Sequence, residues 1–143
     1  MNTPLLEHLK SLHDGAVDAR DAYDLALREA GGHGLSELFQ RMTALHQSNA
    51  LELATVLARY GAAPEPGGSF LTTIQRTLIN IGAIFDRQSE SILPGLIQGE
   101  TSNVASYQEA LDLPGIDPTI RDLLAAQRDR LRIEIAAMHA LGG

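Results

Sequence analysis

Cysteine and tryptophan are absent from this chain, aromatic residues make up only 4% of it, and no long uninterrupted apolar run occurs. Without cysteine there is no disulfide framework, no thiolate-held zinc or iron–sulfur centre and no cysteine nucleophile; such a composition suits a reducing compartment, and a cytoplasmic location is expected. Nothing approaches the ~18 consecutive apolar residues of a bilayer-spanning helix, and residues 1–30 carry no basic start followed by an apolar stretch, so neither export nor membrane insertion is expected. Positive charge is also scarce. The net charge of -7 comes from acids spread along the chain, which favours solubility and disfavours nucleic acid as a partner. Gly-x-Gly-x-x-Gly, Walker-type and Gly-x-Ser-x-Gly motifs are missing, which removes support for nucleotide binding and serine hydrolysis.

What remains is rich in leucine and alanine and patterned for helices. The 143 residues suffice for a single domain spanning 1–143. Thr3-Pro4 opens a helix over about 4–30 and Gly31-Gly32 stops it, with Leu5, Leu9, Leu12, Ala16, Tyr23 and Leu27 on its inner face. A second helix, about 34–60, carries Leu35, Phe39, Met42, His46, Asn49, Leu53, Val56 and Tyr60 at alternating spacings of four and three, with Gly61 as its C-terminal cap. The stretch Ala62 to Ser69 reads as a loop, and Phe70, Leu71, Ile74, Leu78, Ile81 and Phe85 then mark a short helix over about 70–86. Pro94-Gly95 is either the opening turn of a third long helix, about 90–112, or a kink early in it. Its inner face is Leu93, Leu96, Glu100, Val104, Tyr107 and Leu111. Asp117-Pro118 opens the last helix, about 118–141, with Ile120, Leu124, Gln127, Leu131, Glu134, Met138 and Leu141 facing inward. No strand is expected.

Four long helices with a short one between the second and third predict an all-α four-helix bundle, two antiparallel hairpins joined by a crossover. The short helix, about 24 Å at 1.5 Å per residue, is long enough to lead the chain back along the bundle.

Asp14-Gly15, Leu38-Phe39, the Gly61 to Ser69 loop, Gly99-Glu100 and Tyr107, Ala110 and Leu111 together resemble a family of small bacterial ferritin-like, rubrerythrin-like four-helix bundles of unknown function. The resemblance spans nearly the whole chain. It implies a ferritin-like fold and supplies no activity.

The informative residues in such a core are the polar ones, because an unpaired buried polar group costs roughly 1–3 kcal/mol. At about 100° per residue, Arg20, His46, Asn49, Glu100, Gln127 and Glu134 project onto inner faces, most of them near mid-height. One reading makes His46, Glu100 and Glu134 ligands for iron or another divalent metal, in a protein related to rubrerythrins. Against it, no Glu-x-x-His pair occurs, and Arg20 stands where the first helix would need a carboxylate. The preferred reading needs no cofactor: Arg20 bridges Glu100 and Glu134, and Gln127, Asn49 and His46 complete a hydrogen-bonded layer that fixes helix register. His13 and Asp14 point about 100° apart and are expected to be a boundary histidine and a solvated acid; His8, His33 and His139 receive no role. Tyr23, Tyr60 and Tyr107 are expected in the core. Leu51 lies off the inner face, as it would if it met the crossover helix or another subunit. The function expected is that of a non-catalytic binding or structural module, with nucleic acid and membrane not expected as partners and a homo-oligomer admissible.

Overall fold

The computed structural model describes residues 3–30, 35–62 and 93–142, which form four long helices with no strand among them. We number these α1 (Thr3–Ala30), α2 (Ser36–Arg59), α3 (Leu93–Leu111) and α4 (Pro118–Gly142). The expected limits differ from these by no more than about three residues. The short helix over 70–86 and the Ala62 to Ser69 loop, beyond Ala62 itself, lie outside the described residues.

Local chemistry accounts for the helix ends. At the C-terminus of α2, Ala62 N–H donates to Leu57 O at 2.9 Å and Gly61 N–H to Ala58 O at 3.1 Å, while Gly61 adopts φ 69°. That pair of bonds around a left-handed residue satisfies carbonyls the helix leaves free, and glycine takes the conformation without steric cost. Asp117 caps α4 by accepting from the N–H groups of Thr119 at 2.8 Å and Ile120 at 3.3 Å, with Pro118 in the first helical position where its missing N–H costs nothing. Pro94-Gly95 falls at the described start of α3.

Two apolar clusters fill the bundle, one toward each end. The first joins Leu5, Leu9 and Leu12 of α1 to Leu53, Val56 and Leu57 of α2, Tyr107 and Ala110 of α3, and Ile120, Leu124 and Leu131 of α4. The second joins Tyr23 and Ala26 to Leu38, Phe39 and Met42, Leu93, and Met138. The start of α1 thus meets the end of α2, the end of α3 and the start of α4. It follows that α2 and α3 run parallel to each other and antiparallel to α1 and α4. Ala62 packs on the first cluster and Leu93 lies in the second, so the two described ends stand toward opposite ends of the bundle. Contacts are densest within the hairpins α1–α2 and α3–α4; α1 also packs on α3, and α2 on α4.

Two expected core residues lie elsewhere. Tyr60 is 44% exposed, because α2 stops at Arg59 and the next residue leaves the helical phase. Leu141 is 56% exposed in the last turn of α4, beyond the second cluster. Among the described residues, no helix is long and apolar enough to cross a membrane.

Candidate functional site

Between the two apolar clusters the core turns polar. His46, Asn49, Glu100, Gln127 and Glu134 are all buried at this level, each in register with the apolar stripe of its own helix. From α1 the layer receives an aromatic ring instead of a charge: Tyr23 stacks on His46 with centroids 5.8 Å apart and planes 13° apart, and tilts against Phe39 at 6.0 Å.

The centre is a histidine–carboxylate contact between α2 and α3. His46 Nε2 lies 3.0 and 3.2 Å from the two Glu100 oxygens, both side chains being at most 4% exposed. Asn103, one turn beyond Glu100, donates from Nδ2 to the same carboxylate at 3.0 Å. A carboxylate so far from water needs such donors, and here three nitrogen–oxygen contacts supply them. Burial, with Glu100 and Glu134 nearby, pushes the Tyr23 hydroxyl well above the usual phenol range. Tyr23 therefore stays neutral at any ordinary pH.

Toward the first cluster, Tyr107 donates to Gln127 Oε1 at 2.6 Å, and Gln127 Nε2 donates to the Asn49 carbonyl at 3.2 Å and to Glu52 at 3.3 Å. Burial, then Glu100 and Glu52, raises the Tyr107 hydroxyl too, so it remains a donor. Arg130 closes the circuit from the flank, donating to Asn49 Oδ1 at 3.0 Å and to Glu52 at 2.7 Å. Toward the other end, Arg41 Nε holds both Glu134 oxygens, at 2.9 and 3.2 Å, across the α2–α4 flank.

Arg20 does not bridge Glu100 and Glu134. Its guanidinium donates to Asp21 at 2.8 Å and to Gln47 at 2.7 Å, partly exposed on the α1–α2 flank. The cause is helical phase: the buried stripe of α1 passes through Ala16, Tyr23 and Ala26, leaving Arg20 at its margin, where the long side chain reaches outward. Glu100 and Glu134 consequently find separate partners. Sequence reasoning missed Arg41, Asn103, Glu52 and Arg130. Three of these were accessible to a simple rule, since Asn103, Glu52 and Arg130 each stand three residues after an inner polar residue and share its face.

The metal reading asks for a converging donor set. His46 and Glu100 converge, whereas Glu134 is turned to Arg41, and among the described residues no three His, Asp or Glu side chains come together in a way that could hold a metal ion. The described side chains thus do not supply the ligand set of a dinuclear carboxylate centre. His13 and Asp14 lie 3.6 Å apart, the first mostly buried and the second 71% exposed. On the outer side of α1, Asp18 has a buried Oδ1 without a hydrogen-bond partner, and burial, reinforced by Asp14 and Asp21, pushes its carboxyl up to about 6.

The model of a family described as a domain of unknown function, DUF2383, matches residues 5–113, which include His46, Asn49 and Glu100 and end before α4 with Gln127 and Glu134. Neither the curated proteins nor the solved structures contain a match.

Proposed function

The chain belongs to this DUF2383 family, and from that premise we propose that it is a non-catalytic bundle of ferritin-like type, a cytoplasmic binding or structural module whose polar layer fixes the register of four helices. The observation that carries this reading is that the buried polar groups are engaged by one another: His46 with Glu100, Gln127 with Tyr107 and Asn49, Glu134 with Arg41. A reactive centre keeps nucleophiles, acids or ligands aimed at a common space, whereas here most donors and acceptors of the layer point at fixed protein partners, the buried Asn49 Nδ2 being the exception. Polar contacts that work only at one alignment select that alignment over slipped ones, and that is the role assigned to the layer.

A second reading, a protein related to rubrerythrins that binds iron or another divalent metal, draws on one observation: His46 and Glu100 offer an imidazole nitrogen and a carboxylate side by side. Elemental analysis of the purified, untagged protein by inductively coupled plasma mass spectrometry, repeated on Glu100→Ala, separates the two. The module reading expects no stoichiometric iron, manganese or zinc in either protein. Near-stoichiometric metal that vanishes in the variant would replace it with the second reading.

A further inference from the structure

In a four-helix bundle the residue two positions after a buried one stands about 200° around its helix, on the side that faces away from the other three. On α2 and α3 these far-side residues are exposed: Ser48, Leu51 and Thr55 after His46, Asn49 and Leu53, and Ser102 and Glu109 after Glu100 and Tyr107. On α4, Asp129 and Ile133, after Gln127 and Leu131, are exposed as well. Leu51 is 58% and Ile133 67% exposed, so apolar character alone does not shelter a side chain there. On α1 the rule fails in one stretch. Glu7, Ser11, Asp14 and Arg28 follow it, whereas Asp18 and Leu25, two positions after the buried Ala16 and Tyr23, are only partly exposed. Asp18 Oδ1 is buried with no hydrogen-bond partner, and burial is the largest cause that raises its carboxyl. A carboxyl oxygen on the far side of a helix loses its water only when something lies over it.

The arrangement of the helices narrows what that cover is. α1 packs on α2 and α3, and α4 packs on the same two, so α2 and α3 stand at opposite corners with α1 and α4 between them. Ala62 and Leu93 stand toward opposite ends of the bundle. A connection from α2 to α3 that stays against the bundle therefore crosses α1 or α4. The far side of α4 is open, whereas that of α1 is covered from Asp18 to Leu25, about 10 Å at 1.5 Å per residue. The sequence between α2 and α3 has the composition of a cover. Phe70, Leu71, Ile74, Leu78, Ile81 and Phe85 form one stripe, and Arg76 is the one charged residue from Phe70 to Phe85. Such a stripe gains by leaving water, and its single positive charge suits a side of α1 that carries Asp14, Asp18 and Asp21.

We propose that residues 70–86 of this chain are the cover of α1, seated across its far side over Asp18 and Leu25 with the stripe from Phe70 to Phe85 turned toward the helix. The connection between the hairpins then passes over α1, and the far side of α4 stays free. This goes beyond the module reading and does not depend on it.

Because the chain has no cysteine of its own, pairs of nitroxide labels can be placed at will and their separation read by pulsed electron spin resonance. One pair joins Ala83→Cys, off the stripe, to Asp14→Cys on α1; the other joins Ala83→Cys to Asp129→Cys on α4. Labelled protein is diluted into excess unlabelled protein, so that only distances within one chain are read. The pair to α1 is expected to be the closer by about 10 Å or more, a helix-to-helix spacing. The reverse order places the segment on α4 and overturns the proposal. Two broad, similar distributions overturn it too, since they leave the cover of α1 to a second copy or to another partner. A second readout follows the shelter itself: Ile81→Glu is expected to bring the Asp18 carboxyl, titrated by nuclear magnetic resonance, down toward the ordinary carboxylate range, with the helical circular dichroism of the bundle retained. An Asp18 titration that Ile81→Glu leaves unchanged overturns the proposal, and a variant that unfolds leaves the label distances to decide.

Discussion

Two of the acid–base contacts that tie α2 to the second hairpin sit in opposite surroundings. His46 and Glu100 meet at the centre, at most 4% exposed, whereas Arg41, on the α2–α4 flank, keeps about half of its side chain in water while it holds Glu134. The donor and acceptor chemistry is alike. Water makes the difference: at the flank it reaches Arg41, although the Glu134 carboxylate is itself only 10% exposed, and at the centre it reaches neither group.

The sharpest way to break this comparison is His46→Leu, which leaves the Glu100 carboxylate buried with Asn103 alone. A loss of roughly 3–5 kcal/mol is expected in urea denaturation at pH 7, and a loss below about 1 kcal/mol would show that water reaches Glu100. Tyr107→Phe probes the dry side with a neutral group: Gln127 Oε1 loses its donor, and about 1–3 kcal/mol should go with it. At the flank, Arg41→Gln leaves the buried Glu134 carboxylate a neutral donor in place of a half-exposed charge and should cost about 1–3 kcal/mol, less than His46→Leu, part of it lost in high salt; a loss as large as that of His46→Leu and independent of salt would show that water plays no part at this flank. Arg20→Leu, on the other flank, should change the melting midpoint little, by less than about 0.5 kcal/mol.

The smallest effect runs the other way. The carboxyl of Asp18 is raised in the folded state, so folding favours its protonated form, and the stability this gives is complete below about pH 4 and lost as pH rises to about 6. Asp18→Asn should therefore stabilise the protein at neutral pH, by about 1 kcal/mol or less once solvent screening is allowed for, and give no advantage in acid. Chemical denaturation of both proteins at about pH 4 and 7.5 would show the two curves separating only on the alkaline side.

Much of this could be read from the sequence because period and punctuation are strong signals in long helices. The stripes on α2, α3 and α4 placed His46, Asn49, Glu100, Gln127 and Glu134 inward, and Gly61, Asp117 and Pro118 marked the ends where they cap them. The failures at the arginines share a cause. A helical projection gives the direction of the Cα–Cβ bond, and says little about where a long, flexible side chain ends. Arg20 leans off the margin of α1 to Gln47, and Arg41 and Arg130, rooted on the flanks, reach over to buried oxygens. Pairing between helices was equally hidden, since Glu134 facing Arg41 depends on how α4 is rotated against α2. Tyr60 and Leu141 failed more simply, each at the end of a helix where the stripe outruns the core.

The parallel course of α2 and α3 separates the described residues into two hairpins, and the long-range bonds of the polar layer almost all pass from one to the other: His46 to Glu100, Arg41 to Glu134, Gln127 to Asn49, Arg130 to Glu52. Apolar surfaces would hold any two such halves together. The layer works as an address, by which one half recognises the other, and it does so whether or not both lie on the same polypeptide. A nick between them would leave pieces still able to find each other, and at high concentration the same address invites two molecules to exchange halves.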